Sequence, residues 1–204
     1  MSPILPEAVA EFLENYQRDA LARWSADDLA AQREFVNAQV SGSAWLDWST
    51  PSAALQLVQA GNTQTVPGTA QQYDALVLAG PVVELVEPAT LFRQATGPLR
   101  PGGRFVSIIP CLRDNSPESQ QFMQHAAAML WPYPTAEELL EILRESRWRV
   151  ESSGFIAIPQ LNRAVLANQL TFKGFRRVFD ELGAQGYDPL AVGWGELRFV
   201  AARG

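Results

Sequence analysis

An α/β fold around a mostly parallel sheet is predicted by three consecutive features between Tyr73 and Pro110. Ala75 to Ala79 is an apolar run that suits a strand buried on both faces. A helix-length segment follows, with Leu85, Leu91, Phe92 and Leu99 among its apolar positions. Leu99-Arg100-Pro101-Gly102-Gly103 then breaks the helix, and Arg104 to Ile109 reads as a second buried strand. Strand, crossover helix and strand of this length make a right-handed βαβ unit.

A chain of 204 residues, 47% hydrophobic and 19% charged, has the material for one domain with a sizeable core. The net charge of −6 argues against a broad nucleic-acid surface, which needs clustered Lys and Arg. A single cysteine, Cys111, excludes an intramolecular disulfide and a Cys-rich metal site, so no metal is expected. No N-terminal stretch combines a basic start with an apolar core, and no apolar run approaches about 18 residues. The expectation is a cytoplasmic protein with no membrane and no nucleic-acid partner.

The remaining elements follow in order. Pro6, Val9, Phe12, Leu13, Tyr16, Leu21 and Trp24 approach a 3.6-residue period and predict an amphipathic helix. Ser25, with Asp28 three positions on, caps a second helix through Leu29, Phe35, Val36 and Val40, which Gly42 ends. Ala44 to Ser49 comes next as a strand, and Ser49 or Thr50 with Pro51 starts a helix over residues 52 to 60. Thr63 to Val66 reads as a short strand and Pro67-Gly68 as a turn. Beyond the βαβ unit, Pro110 to Asn115 is expected to form a loop at the carboxyl end of the sheet. Ligands of open α/β folds bind at that edge, which makes Cys111 and Arg113 cleft candidates. Ser116 caps a helix that carries His125, the only histidine, with no second histidine or adjacent thiol to form a triad or metal site. Trp131-Pro132-Tyr133-Pro134 is a rigid connector, and Thr135-Ala136-Glu137-Glu138 is a capping box for the next helix. Arg149 to Pro159 reads as a strand. Leu170, Phe172, Phe175, Val178, Phe179 and Leu182 suggest a helix in the tail, with Lys173, Arg176 and Arg177 grouped nearby. Leu197 to Ala202 is the last strand. The whole, 1–204, reads as a single domain: N-terminal helices over 1–42, an α/β core over 44–204, and a helical insertion near 160–190.

The aromatic–Asp pair Tyr73-Asp74, the mid-segment Glu and Pro, and Leu99 to Gly103 resemble the class I S-adenosylmethionine-dependent methyltransferase family. There this stretch spans the fourth and fifth strands. Residues 134 to 155 resemble the family's last helix and sixth strand, and Leu197 to Ala202 its antiparallel seventh strand. The resemblance implies a Rossmann-like methyltransferase fold with a mostly parallel sheet, an antiparallel last strand and extra N-terminal helices. It also locates the cofactor residues: Asp47 matches the family's leading Asp, Glu84 approximates the Glu of its V-L-E-H pattern, and Ser49 and Gly80 stand near them. The family's first strand runs into a glycine-rich loop; here it runs into Asp47-Trp48-Ser49-Thr50-Pro51, with no glycine until Gly61. Trp48 is expected in the cleft, where its ring would fill cofactor space. Between Pro51 and Tyr73 there is no Asp or Glu to hold a ribose, and the interval is too short for the usual strands and helices, so the cofactor half is shortened.

The expectation from these departures is a methyltransferase-like protein without the standard cofactor site and with no cofactor. It would act as a binding, regulatory or scaffold subunit, its partner another methyltransferase or pathway enzyme. The alternative is an active S-adenosylmethionine-dependent methyltransferase of a small molecule with an altered cofactor loop, using Asp47, Ser49, Gly80 and Glu84. A different small ligand in the same cleft is a third reading, with Cys111 or Arg113 near it.

Overall fold

The structure, a computed structural model, describes residues 6–50, 53, 56–57, 68, 71–84, 86–126, 133–171 and 173–203. Among the described residues five strands form one mixed sheet in the order β1-β2-β3-β5-β4: β1 Trp45–Asp47, β2 Tyr73–Ala79, β3 Leu99–Leu112, β4 Trp148–Ala157 and β5 Trp194–Arg203. β1, β2 and β3 are parallel neighbours, and β5 runs antiparallel between β3 and β4. This is the Rossmann-like α/β arrangement with an antiparallel last strand that the sequence predicts. Of the helix expected over 52–60, only Ala53, Gln56 and Leu57 are described, and all three are helical. The strand expected at 63–66 lies outside the described residues, as do Leu85, Trp131, Pro132 and Phe172.

The crossover between β2 and β3 is not one helix. A 3-10 turn, Pro81–Glu84, leads to a short helix, Pro88–Gln94, which we number α4 after the N-terminal helices given below. Leu91 and Phe92 of α4 are fully buried against the sheet beside Ala53 and Leu57. Phe92, Phe105 and Phe199 meet edge to face at centroid distances of 5.3–6.1 Å, and Trp148 Nε1 donates to the Phe92 carbonyl at 2.9 Å. Such aromatic pairs stabilise beyond their area by about 0.5–1.5 kcal/mol each.

β3 is longer than expected at both ends. Its pairing steps from Tyr73–Leu99 to Ala75–Arg104, so Arg100 to Gly103 bulge from the start of the strand rather than precede it. The Arg100 guanidinium pairs there with Asp74, whose other carboxylate oxygen accepts from Ala44 N at 2.9 Å. Asp74 therefore joins the entrances of three strands. At the far end, pairing with β2 stops at Ala79–Ile108, but the antiparallel partner carries β3 on to Leu112. Pro110 and Cys111 belong to this strand, opposite Glu196 and Gly195, and the expected loop begins only at Arg113.

The N-terminal segment forms α1 Pro6–Arg18, α2 Ala20–Arg23 and α3 Ala26–Val40. The single helix expected through Trp24 breaks at Asp19. Its buried carboxylate accepts from Thr171 N at 2.8 Å and Thr171 Oγ1 at 2.7 Å, tying the N-terminus to the tail. The expected cap holds: Ser25 and Asp28 form a reciprocal capping box, and Asp28 is pushed below the usual carboxylate range by its bonds to Ser25. Val40 of α3 packs on Ala75, Val77 and Val106, covering the sheet face opposite α4.

The other helices are α5 Pro117–Ala126, α6 Ala136–Glu145, α7 Pro159–Leu166 and α8 Gly174–Ala184. Thr135 and Glu138 make the predicted capping box of α6. The tail is two helices rather than one, broken around Asn168, which takes a φ of +58°. α5, α7 and α8 enclose a second core in which Trp194 meets Phe122 and Tyr133 edge to face at 4.9 and 4.8 Å.

Gly195 marks the tightest point of the sheet: a Cβ there would stand 2.5 Å from the Ile156 carbonyl and against the Phe155 ring. Gly195→Ala is expected to lower unfolding stability by about 1–3 kcal/mol, measured as a reduced urea midpoint.

Candidate functional site

Side chains alternate along a strand, so Trp45, Asp47 and Ser49 share one side of the chain and Leu46 and Trp48 the other. In the structure the first three line a cleft beneath α3, together with Gln32, Arg33, Val36, Asn37, Val77, Ala79 and Ile108. Its volume is about 380 Å³, within the roughly 300–1,000 Å³ of small-molecule sites. Asp47 Oδ1 accepts from Ser49 N at 2.7 Å, and Ser49 Oγ accepts from Ala79 N at 2.8 Å. These two bonds fold the exit of β1 onto the end of β2 without glycine.

Gly80 follows immediately at a φ of +127°, a backbone region that side chains disfavour, and its N–H donates to the Ile108 carbonyl at 2.9 Å. It borders a second, smaller pocket of about 160 Å³, walled by Tyr16, Trp24, Leu29, Pro110 and Glu196 among others. Gln32, Ala79 and Ile108 line both pockets, so the two compartments share a wall.

Glu196 is the feature that sequence reasoning missed. It is 1% exposed, yet its Oε1 takes Arg198 Nε at 2.6 Å and Nη2 at 2.5 Å, and its Oε2 takes Gln32 Nε2 at 2.7 Å. Burial pushes its carboxyl above the usual range, opposed by the Arg198 charge and by these hydrogen bonds. The only local hint is the i, i+2 spacing of Glu196 and Arg198, which puts both on one face of a strand.

The other sequence candidates lie elsewhere. The Trp48 ring is fully buried in the core with Leu57, Leu76 and Leu78, so it does not fill the cleft; Trp45, 44% exposed, takes the aromatic position there. Cys111 is fully buried in the same core, and burial pushes its thiol up to about 12. Arg113 is exposed and pairs with Asp114 at 2.6 Å, which holds the Asp114 carboxyl below its ordinary range. Neither Cys111 nor Arg113 lines either pocket. Glu84 ends the 3-10 turn after β2. His125 bridges α5 to α8 through Glu181 at 3.1 Å and Gln185 at 3.1 Å. The basic group of the tail is spent locally: Arg176 on Asp180, Arg177 on Glu181, and Lys173 on the Leu170 carbonyl. Among the described residues no three His, Cys, Asp or Glu side chains gather as a metal site, and no helix is long and apolar enough to cross a membrane.

No protein-family model and no curated protein matches this sequence. Solved structures do match. Geranyl diphosphate methyltransferase in complex with GPP and sinefungin superposes over 86% of this chain and 78% of its own, at 15% identity and a TM-score of 0.54. The same enzyme with SAM gives 85% of each chain, 16% identity and 0.52. Geranyl diphosphate C-methyltransferase from Streptomyces coelicolor A3(2), with Mg2+, geranyl-S-thiolodiphosphate and S-adenosyl-L-homocysteine, covers 86% and 76% at 15% identity and 0.51. The chain spans about half, 53%, of the [4+2]-cyclase SpnF, at 18% identity and a TM-score of 0.47. The expectation that no cofactor belongs to this protein is corrected by these neighbours, which share its fold and hold S-adenosylmethionine, its demethylated product or an analogue. The chain has a class I methyltransferase-like fold.

Cys111 provides a check on the core. A thiol titrating near 12 carries almost no thiolate at pH 8, so a disulfide reagent is expected to leave native Cys111 unmodified and to react fully after urea unfolding. Rapid labelling of the native protein would contradict its burial.

Proposed function

We infer that this protein is an S-adenosylmethionine-dependent methyltransferase of a small molecule, with the cofactor held in the cleft beneath α3. The observation that carries this reading is the pairing of two compartments at the carboxyl ends of β1, β2 and β3. The larger is of cofactor size, and the smaller, on its shared wall, contains Glu196. The donor set of the larger cleft fits the group. Asp47 offers a carboxylate to ribose hydroxyls or an ammonium, Arg33 a cation to a carboxylate, Asn37 an amide, and Trp45 an open ring face for a base. Neighbours of the same fold crystallised with such ligands support the assignment.

When bound, the cofactor supplies a methyl group on a positively charged sulfur. The chain's own residues do the rest by alignment. Gln32, Ala79 and Ile108 border both compartments, so a donor in the larger and an acceptor in the smaller would meet along this shared border, where the small side chain of Ala79 gives the least obstruction. Holding two reactants in line removes up to about 7–11 kcal/mol of barrier in well-oriented systems. Tyr16, Trp24, Leu29 and Pro110 give the acceptor side apolar walls that exclude water.

A binding or regulatory subunit that holds the cofactor and associates with another methyltransferase or pathway enzyme is the second reading. It is favoured by the Asp47 to Pro51 segment, which replaces a glycine-rich turn. Calorimetry with S-adenosylhomocysteine, followed by transfer of labelled methyl groups to a small-molecule panel, separates the two. Binding is expected in both cases and transfer only in the first. Asp47→Ala is expected to weaken binding about tenfold or more, the loss of one charge-assisted hydrogen bond. Unchanged affinity in that variant would remove the cofactor from this cleft.

A further inference from the structure

The smaller pocket is chemically narrower than the larger one. Its volume, about 160 Å³, is close to the roughly 150 Å³ engineered cavity that accepts benzene, so it has room for one six-membered ring. The walls are aromatic and aliphatic: Tyr16, Trp24, Leu29, Ile108 and Pro110. They are also braced, because Tyr16 meets Trp24 edge to face at 5.6 Å and the Arg23 guanidinium lies 4.3 Å over the Tyr16 ring.

The polar lining is limited in charge: Gln17, Gln32 and the Trp24 Nε1 donor, which has no hydrogen-bond partner, are neutral. Glu196 is the one carboxylate among the described lining residues, and Arg198, in the same plane of β5, already neutralises it. An anionic ligand would meet a buried carboxylate, and a cationic ligand would compete with a guanidinium that already holds two bonds. A neutral ligand meets neither cost. Counting acceptor sites gives the number of contacts. A carboxylate has about four lone-pair positions. Arg198 Nε and Nη2 occupy two on Oε1, and Gln32 Nε2 occupies one on Oε2, leaving one for an entering donor.

We propose that this pocket is the acceptor site for a neutral, single-ring molecule presenting one O–H or N–H group, which Glu196 Oε2 accepts. The inference rests on the methyltransferase reading above and names its substrate class. On transfer, the acceptor heteroatom forms its bond to the methyl carbon. The carbon–sulfur bond breaks with its electron pair remaining on sulfur, and the acceptor proton passes to Glu196. The raised affinity of Glu196 for a proton suits that role.

The test uses the whole chain and four ring probes: phenol, aniline, benzoate and benzylammonium. Saturation-transfer NMR is run with and without S-adenosylhomocysteine, on the wild type, Glu196→Gln and the pocket-filling Leu29→Phe. Phenol or aniline is expected to bind the wild type with a Kd of about 1 mM or tighter, as a buried ring with one charge-assisted bond allows. Benzoate and benzylammonium are expected to bind at least about tenfold more weakly. Glu196→Gln is expected to weaken the neutral probe about fivefold or more, and Leu29→Phe to abolish its binding. The proposal is overturned if neither neutral probe binds, if a charged probe binds as well, or if Glu196→Gln changes nothing. Should Glu196→Gln fail to fold, undiminished binding to Leu29→Phe overturns it instead. Ring binding without S-adenosylhomocysteine binding leaves this pocket standing and removes the methyltransferase reading; the converse result removes only the pocket.

Discussion

A carboxylate buried on the face of a sheet must be met by charge and hydrogen bonds, and on that requirement the pocket-bearing face of this protein depends. Glu196, 1% exposed, is held by Arg198 two residues along the same strand and by Gln32 from α3. Removing one member of such a buried group leaves an uncompensated charge, commonly at a cost of about 3–5 kcal/mol. The Gln32 bond therefore does more than satisfy an oxygen. It anchors α3 across β3 and β5, and α3 contributes residues to the walls of both pockets, joined at the smaller one by Tyr16, Ala20 and Trp24.

The winding of the sheet explains why that roof is needed. In a doubly wound sheet the strand order reverses, helices change face at the reversal, and ligands bind in the crevice that opens there. Here β1, β2 and β3 follow one another in a single direction. Right-handed connections in one direction place their helices on one face. Ala53 and Leu57 accordingly share a core with Leu91 and Phe92 of α4. Among the described residues the opposite face of β1, β2 and β3 receives no crossover helix, and α3 covers it instead. The crevice is then bounded by a preceding helix and the sheet, rather than by two crossover helices.

Legibility in the sequence followed the range of the interactions. The capping boxes at Ser25 and Thr135 were readable because all their groups lie within four residues. The buried strands around Ala75 and Phe105 were readable from apolar runs. The length of β3 was not, since its last four residues are held by β5, more than eighty positions away. Asp19 looked like one more position of an amphipathic helix, but its partner Thr171 is 152 residues distant. In the site, Asp47, Ser49 and Gly80 were found at the pocket walls. Trp48 faces the core instead of the cleft because strand alternation continues through the exit of β1. Cys111 and Arg113 were displaced by the same extension of β3 that turned the expected loop into strand. Glu196 left only its i, i+2 spacing from Arg198 as a hint, since its other partner, Gln32, lies 164 residues away.

The shared wall has a further consequence for how the two compartments act together. Gln32 lines both pockets and is bonded to Glu196 in the smaller one. A ligand that shifts its amide in the larger cleft alters the acceptor sites left on Glu196, and a donor bound to Glu196 alters the amide presented to the cleft. Linkage makes any such coupling equal in both directions. Such coupling is thermodynamic and fixes no order of binding; Gln32, with no charge of its own, is the group through which occupancy of one pocket would bear on the other.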